Sequence, residues 1–166
     1  MRQEAPLVGV LAASPTELSV MQQATAILEK LELPHEIRVM SSSRNPDLVD
    51  EYVRTAFDRG LKVLVCTTGI TGHLAAAAAA RTVLPVIGVP IASDQMGGEQ
   101  ALIVTAQMPA GVPVGTLAVG KAGAVNAAIL AASIVAGAHP EYRERLRAYR
   151  EEQRARVLKE PDPSAE

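Results

Sequence analysis

Short apolar runs alternate along the chain with segments whose apolar residues recur at helical spacing. Runs at residues 7–12, 35–40, 63–66, 86–89 and 114–119 predict five strands. Continuous apolar strands that alternate with helices are typical of a parallel sheet that is covered on both faces, with right-handed crossovers. The pattern therefore predicts an α/β protein with a doubly wound parallel sheet.

Two helices are expected between the first three strands. Residues 14–17, with the sequence Ser-Pro-Thr-Glu, have the composition of a helix start, and the first helix should end before Pro34 because a proline disfavours helix in the residue before it. The second helix should begin near Asp47. Its inward-facing residues are predicted to be Leu48, Tyr52, Val53 and Phe57.

The second half of the chain predicts three more helices and an irregular segment. An alanine run at 75–80 favours a helix, 91–105 a loop and a short helix, and 107–113, with two prolines and a glycine, an irregular stretch. The apolar run at 122–138 is interpreted as a buried helix because it is short for a membrane span and includes Asn126.

A last helix at 140–158 differs because it is rich in arginine and glutamate. It has a thin apolar stripe at Tyr142, Leu146 and Tyr149, which suggests packing on a neighbouring subunit, whereas Glu141 and Arg145 are interpreted as an ion pair on a solvated face. Residues 1–160 are expected to form a single domain, followed by a frayed tail at 161–166.

Composition narrows the class of protein. The 166 residues are 48% hydrophobic but only 2% aromatic, so the core must consist of small aliphatic side chains. The 16 basic and 18 acidic residues are well mixed along the chain and give a net charge of −2. This distribution does not indicate a basic surface for nucleic acid or an anionic membrane. Cys66 is the one cysteine and is interpreted as a buried hydrophobe. With one cysteine and no Cys/His cluster that has the spacing of a metal site, the chain is expected to be cytoplasmic and without metal. The start of the chain lacks the features of a signal peptide.

Ligands of open parallel sheets bind beyond the carboxyl ends of the strands, near the point where the strand order reverses. Three loops then become candidates, at 13–17, 41–46 and 67–73. Their hydroxyls, backbone N–H groups and Arg44 suit a phosphate or a carboxylate. Ser14, Thr16 and Asn45 are equally common as helix caps or turn residues, so that alternative stays open.

Of the three histidines, one is a functional candidate and two are interpreted as structural. His73 either caps the alanine helix or transfers protons near neutral pH, whereas His35 and His139 are interpreted as structural. No segment matches the dinucleotide-binding fingerprint or the P-loop, so neither NAD nor ATP is implied and no cofactor is expected.

Two segments carry a resemblance to a known family. Residues 107–128, QMPAGVPVGTLAVGKAGAVNAA, closely resemble a signature of the PurE family, and residues 81–91, RTVLPVIGVPI, match it as well. The likeness extends over nearly the whole chain. It implies a flavodoxin-like three-layer sandwich with an extra C-terminal helix, a homo-octamer, and an enzyme that moves CO2 on aminoimidazole ribonucleotide. The family releases CO2 in a closed pocket, recaptures it at the ring carbon and removes the ring proton with a histidine.

The resemblance is weakest in the loops of the expected pocket. The family's second loop reads like SAHRTP, but residues 41–46 read SSSRNP, so Ser43 stands where the catalytic histidine is expected. A serine hydroxyl does not titrate near pH 7 without a base, and loss of a general acid or base costs about 10²–10⁴ in rate. Mutase activity would then need a substitute, for which His73 is the candidate.

The other loops keep part of the family's chemistry. The first loop, usually GSxSDW, retains hydroxyls at Ser14 and Thr16, and Glu17 replaces the aspartate that contacts the ribose in the family. The third loop, commonly GAGGAAHL, reads TTGITGHL here, which retains His73 and adds bulk at Ile70.

These considerations define the candidate site. His73 and Ser43 are the predicted catalytic residues. The predicted substrate-binding residues are Ser14, Thr16, Glu17, Ser41, Arg44, Thr67, Thr68, Gly69 and Gly72. The expected ligand is an anionic small molecule, such as a ribonucleotide, with CO2 as reactant or intermediate. The alternatives are a decarboxylase of a different small acid and a non-catalytic, ligand-binding octamer.

Overall fold

A computed structural model of the chain describes residues 5–69, 73–93 and 97–157. The five strands are β1 Val8–Ala12, β2 His35–Val39, β3 Val63–Thr68, β4 Val86–Pro90 and β5 Gly115–Thr116. They form one fully parallel sheet in the order β2-β1-β3-β4-β5. The order reverses between β1 and β3, because the chain moves to one side of β1 for β2 and to the other side for β3. The prediction of a doubly wound parallel sheet is confirmed.

Within the described residues, six α-helices pack around the sheet. They are α1 Leu18–Lys30, α2 Pro46–Ala56, α3 His73–Ala79, α4 Glu99–Ala106, α5 Gly120–Val135 and α6 Pro140–Val157. Helices α1 and α5 cover one face, α2 and α3 cover the other, and α6 packs on α5. The three layers and the extra C-terminal helix are those of a flavodoxin-like fold.

Small side chains fill the interface between the sheet and α5. Ala124, Ala127, Ala128, Ala131 and Ala132 are fully buried along one side of α5. Because alanine lets a helix approach its neighbours closely, this stripe packs against α1 and the central strands with little aromatic volume. The expected aliphatic core is therefore confirmed.

The inward face of α2 was predicted wrongly at two positions. Leu48 and Phe57 are 42% and 56% exposed, whereas Tyr52 and Val53 are buried as predicted. The buried set also includes Val49 and Ala56, at the i, i+3, i+4, i+7 spacing of one helical face. The packing of α2 against the rest of the protein fixes which of its faces is buried. The apolar pattern alone left that choice ambiguous.

Two strand boundaries also differ from the prediction. Thr67 and Thr68, which were assigned to a loop, belong to β3 and are buried. Strand β5 comprises two residues rather than the predicted 114–119, because the chain leaves the sheet edge to enter α5 at Gly120. Gly123 sits so close to this turn that a Cβ there would lie 1.7 Å from the carbonyl oxygen of Ala118.

Helix α6 packs against its own chain. Tyr142 and Leu146 are buried in the core formed with α1 and α5, and Tyr149 packs at its margin. The stripe therefore packs on the core of its own chain, and packing of this helix on a neighbouring subunit stays a prediction. Arg145 forms its ion pair with Glu32, at 2.9 Å, rather than the predicted pair with Glu141.

Candidate functional site

A polar cleft of about 170 Å³ lies beyond the carboxyl ends of β1, β2 and β3, at the reversal of strand order. The described residues that line it are Ala13, Ser14, Glu17, Ser41, Ser42, Ser43, Arg44, Thr67, Gly69, His73 and Leu74. Parallel strands end at the same edge of the sheet, which is why three loops distant in sequence meet here. Arg44 and His73 both line this single cleft.

The loop after β1 presents two hydroxyls. Ser14 occupies the N-cap position of the 3-10 turn Pro15–Glu17, but its side chain caps no N–H group and instead hydrogen-bonds the Thr16 hydroxyl at 2.7 Å. Asn45, by contrast, does cap α2, since its side chain accepts from the Leu48 N–H at 3.4 Å. Capping therefore explains Asn45 and leaves the Ser14 hydroxyl at the cleft wall.

The carboxylate of Glu17 is held at the floor of the cleft. Its Oε2 accepts hydrogen bonds from the hydroxyl of Thr67 and, at 3.1 Å, from the backbone N–H of Ala13. The same N–H also donates to the Thr67 hydroxyl at 2.8 Å. Its other oxygen, Oε1, lies 3.7 Å from the point where a Cβ on Gly69 would stand.

The loop after β2 positions a guanidinium beside these groups. Arg44 donates from Nη2 to the carbonyl oxygen of Ala13 at 3.0 Å and from Nε to the Ser41 hydroxyl at 3.3 Å. Ser41 also hydrogen-bonds the exposed hydroxyl of Ser43 at 3.2 Å. A guanidinium with neighbouring hydroxyls is a chemistry that suits phosphate or carboxylate.

His73 is the first residue of α3, and its side chain is exposed at the cleft. It therefore stands where a substrate in the cleft can meet an imidazole. Ser43 lines the same cleft, so the structure brings both predicted catalytic residues together. Their catalytic roles stay predictions.

Two predicted binding residues are not among those that line the cleft. Thr68 is buried and its hydroxyl hydrogen-bonds that of Thr105 on α4 at 2.7 Å, so it joins β3 to α4. Thr16 is exposed and hydrogen-bonds Ser14, which does line the cleft. Gly72 and Ile70 lie outside the described residues.

Sequence reasoning missed the role of the Ala13 backbone. Its N–H group binds the side chains of Glu17, after β1, and Thr67, at the end of β3, and its carbonyl binds Arg44, after β2. A backbone group that binds several side chains cannot be recognised from residue types, because every residue has the same N–H and C=O groups. Its position at the end of β1, on the sheet's reversal point, is the one clue available beforehand.

Cys66 takes no part in the cleft. It is fully buried in the core beneath α2 and α3, and burial raises the pKa of its thiol to about 12. Because a nucleophile must be reachable and in the thiolate form, the complete burial of Cys66 supports its interpretation as a buried hydrophobe.

Two further searches concern the described ranges only. None of the helices in residues 5–69, 73–93 and 97–157 is long and apolar enough to cross a membrane. The same residues contain no cluster of three or more His, Cys, Asp or Glu side chains suited to holding a metal ion.

The fold and the cleft define an α/β protein whose site lies where parallel sheets bind small molecules. The chain belongs to the AIR carboxylase family, also called PurE, whose model matches residues 7–156. It is 47% identical to N5-carboxyaminoimidazole ribonucleotide mutase of Pseudomonas aeruginosa over 157 residues, which cover 95% of this chain and 96% of that protein. The mutase of Bacillus subtilis is 43% identical, with 95% and 97% covered.

A solved structure agrees with the observed fold. The crystal structure of Treponema denticola PurE superposes with a TM-score of 0.84 at 20% identity, and the match covers 97% of this chain and 99% of that one. This likeness supports the three-layer architecture.

Proposed function

We propose that this chain is a PurE-type enzyme that moves CO2 on aminoimidazole ribonucleotide, as an N5-carboxyaminoimidazole ribonucleotide mutase. The observation that carries the proposal is one cleft that combines an arginine, several hydroxyls, a carboxylate and an imidazole. Relatives that bear the mutase name match this chain over nearly its full length.

The groups in the cleft divide into binding and reacting parts. Arg44, with the hydroxyls of Ser14 and Ser41, is assigned to the phosphate, because a guanidinium and hydroxyls offer donors that match its oxygens. Glu17 accepts hydrogen bonds from hydroxyl groups of the ribose. His73 is assigned to proton transfer, and Ser43 to positioning the ring or CO2.

The proposed reaction balances without a cofactor. Loss of CO2 breaks the bond from N5 to the carboxylate carbon, and N5 keeps the electron pair and takes up a proton from the protonated imidazole of His73. The ring carbon C4 then donates an electron pair to CO2, forming the new carbon–carbon bond, and its proton passes to the imidazole of His73. Neither an oxidant nor a reductant is required.

A homo-octamer in the cytoplasm is the proposed assembly and location. Apolar side chains on the described surface support self-association, since Val83 and Ile103 are 88% and 51% exposed. Val83 borders a groove beside β4 and the sheet-edge strand β5, together with the half-buried Ile134. Surface of this kind is typical of contacts between subunits.

Ser43 favours a second candidate function. Because a serine without a base does not transfer protons at neutral pH, the cleft would also suit a decarboxylase of a related small acid, or an octamer that binds a nucleotide without reaction. These alternatives share the binding groups and differ in the fate of CO2.

The test is to mix purified protein with each carboxylated ribonucleotide and follow ultraviolet absorbance and carbon NMR. Interconversion of the two isomers supports the mutase. Release of CO2 without the second isomer supports the decarboxylase, and binding without turnover supports the non-catalytic octamer. Ser43→His provides the matched variant: a gain in mutase rate indicates that the cleft retains the ribonucleotide geometry, and no gain indicates a different substrate.

A further inference from the structure

We infer that Thr67 is a positioning residue, whose buried hydroxyl fixes the Glu17 carboxylate so that its Oε1 atom selects ligands bearing hydroxyl groups. Thr67 was predicted to bind substrate directly, but its side chain is buried and its hydroxyl is already engaged on both sides. It donates to Glu17 Oε2 and accepts from the Ala13 N–H at 2.8 Å.

The two oxygens of Glu17 are not equivalent. Oε2 accepts from both Thr67 and Ala13, so it is committed to the protein. Oε1 is directed toward Gly69, a half-buried residue of the cleft wall that has no side chain to cover it. A carboxylate with one oxygen so held presents the other as a fixed acceptor for a ligand hydroxyl.

The side chains at positions 17 and 67 suit one another. Threonine is branched at Cβ, so its hydroxyl has few available orientations in a strand. The carboxylate of Glu17 must reach back four residues to the Ala13 N–H while also meeting the end of β3. An aspartate is shorter by one carbon–carbon bond, about 1.5 Å, and would lose at least one of these contacts.

The choice of a sugar phosphate as ligand rests on the proposed function, but the placement of the carboxylate does not. Two measurements distinguish the placement of the Glu17 carboxylate from the selection of a sugar phosphate. Amide hydrogen exchange at Ala13 reports the Thr67–Glu17 arrangement in the free protein. The ratio of dissociation constants for inorganic phosphate and ribose 5-phosphate, from calorimetry, reports selection of the sugar.

Thr67→Val keeps the shape of the side chain and removes the hydroxyl. We expect Ala13 to exchange at least tenfold faster and the preference for ribose 5-phosphate to fall about tenfold, with the phosphate affinity within threefold of the original. Thr67→Ser keeps a hydroxyl and should show the original Ala13 exchange rate and the original preference for ribose 5-phosphate. Glu17→Gln should lose that preference, as Thr67→Val does. Glu17→Gln also tests the inference should Thr67→Val not fold, because Glu17 is only half buried.

Normal Ala13 protection and unchanged sugar preference in Thr67→Val would overturn the inference. Loss of phosphate affinity together with sugar affinity would also overturn it, because it would indicate general damage to the cleft. If the unmodified protein binds neither probe, the anion-binding part of the proposed function fails and so does sugar selection by Glu17. Exchange at Ala13 then decides whether Thr67 positions the carboxylate.

Discussion

Arg44 joins two loops of the cleft through the backbone of Ala13: its Nη2 donates to the Ala13 carbonyl oxygen at 3.0 Å. Its Nε donates to the Ser41 hydroxyl at 3.3 Å. A guanidinium has five N–H donors, so these contacts fix its plane and leave further donors for an anion. The positive charge is thereby held at the cleft although the side chain is exposed.

Replacing Arg44 should weaken anion binding. Arg44→Ala removes charge-assisted hydrogen bonds worth about 1.5–3 kcal/mol, so the dissociation constant for inorganic phosphate should rise about 10- to 100-fold in calorimetry. Arg44→Lys should recover only part of the affinity, because lysine lacks the planar fork. Arg54→Ala, on the outer face of α2 where Arg54 pairs with Asp50, is the matched control. Equal losses in both variants would argue against a specific role for Arg44.

His73 can be tested separately from binding. His73→Asn keeps a polar side chain but removes the imidazole, and kcat for isomer interconversion should fall by about 10²–10⁴ with KM within a few-fold. His139→Asn is the control, since that ring lies away from the cleft with Nδ1 3.5 Å from Glu141 Oε1. An unchanged kcat in His73→Asn would assign proton transfer to another group.

Gly9 is required by packing within the sheet. A Cβ at this position would lie 2.6 Å from the Tyr52 hydroxyl oxygen and within 2.8 Å of side-chain atoms of Leu61 and Leu64. Gly9→Ala should lower the free energy of unfolding in urea by about 1–3 kcal/mol, the usual cost of overpacking. Gly115→Ala is the control, because its nearest contact would be an ordinary 3.7 Å. Similar values for the two variants would contradict the packing argument.

Glu36 should make the free energy of unfolding depend on pH in the acid range. Burial raises the pKa of Glu36, but hydrogen bonds from Arg59 and Tyr52 and the charges of Arg59 and Arg38 outweigh it, leaving the pKa below the ordinary 4.5. A lowered pKa in the folded state stabilises the protein above about pH 4.5, and this contribution is lost as the pH falls through the folded-state pKa.

The corresponding variant is Glu36→Gln, measured by urea unfolding between pH 7 and pH 3. It should be less stable than the unmodified protein by about 1–3 kcal/mol at pH 7, and the difference should shrink below pH 4.5. Glu51→Gln, at an exposed position of α2, should change stability by no more than about 0.5 kcal/mol. A difference that stayed constant down to pH 3 would refute the pH argument.

The candidate site was only partly accessible to sequence reasoning. Arg44, His73 and Ser43 could be placed because loops after parallel strands share one edge of the sheet. Thr67 and Thr68 could not be told apart while both were assigned to a loop. In the structure they end β3, and because neighbouring strand residues point to opposite faces, one meets Glu17 and the other meets Thr105.

By itself, the sequence determined the alternation of strands and helices, the parallel sheet and the family, because apolar periodicity and motif residues are local properties of the chain. Only the tertiary structure decided which face of α2 is buried, where β5 ends, that α6 packs on its own core, and that the Ala13 backbone joins the first two loops to the end of β3. These features depend on contacts between segments distant in sequence. Packing and hydrogen bonding select among orientations that the local pattern leaves equally allowed.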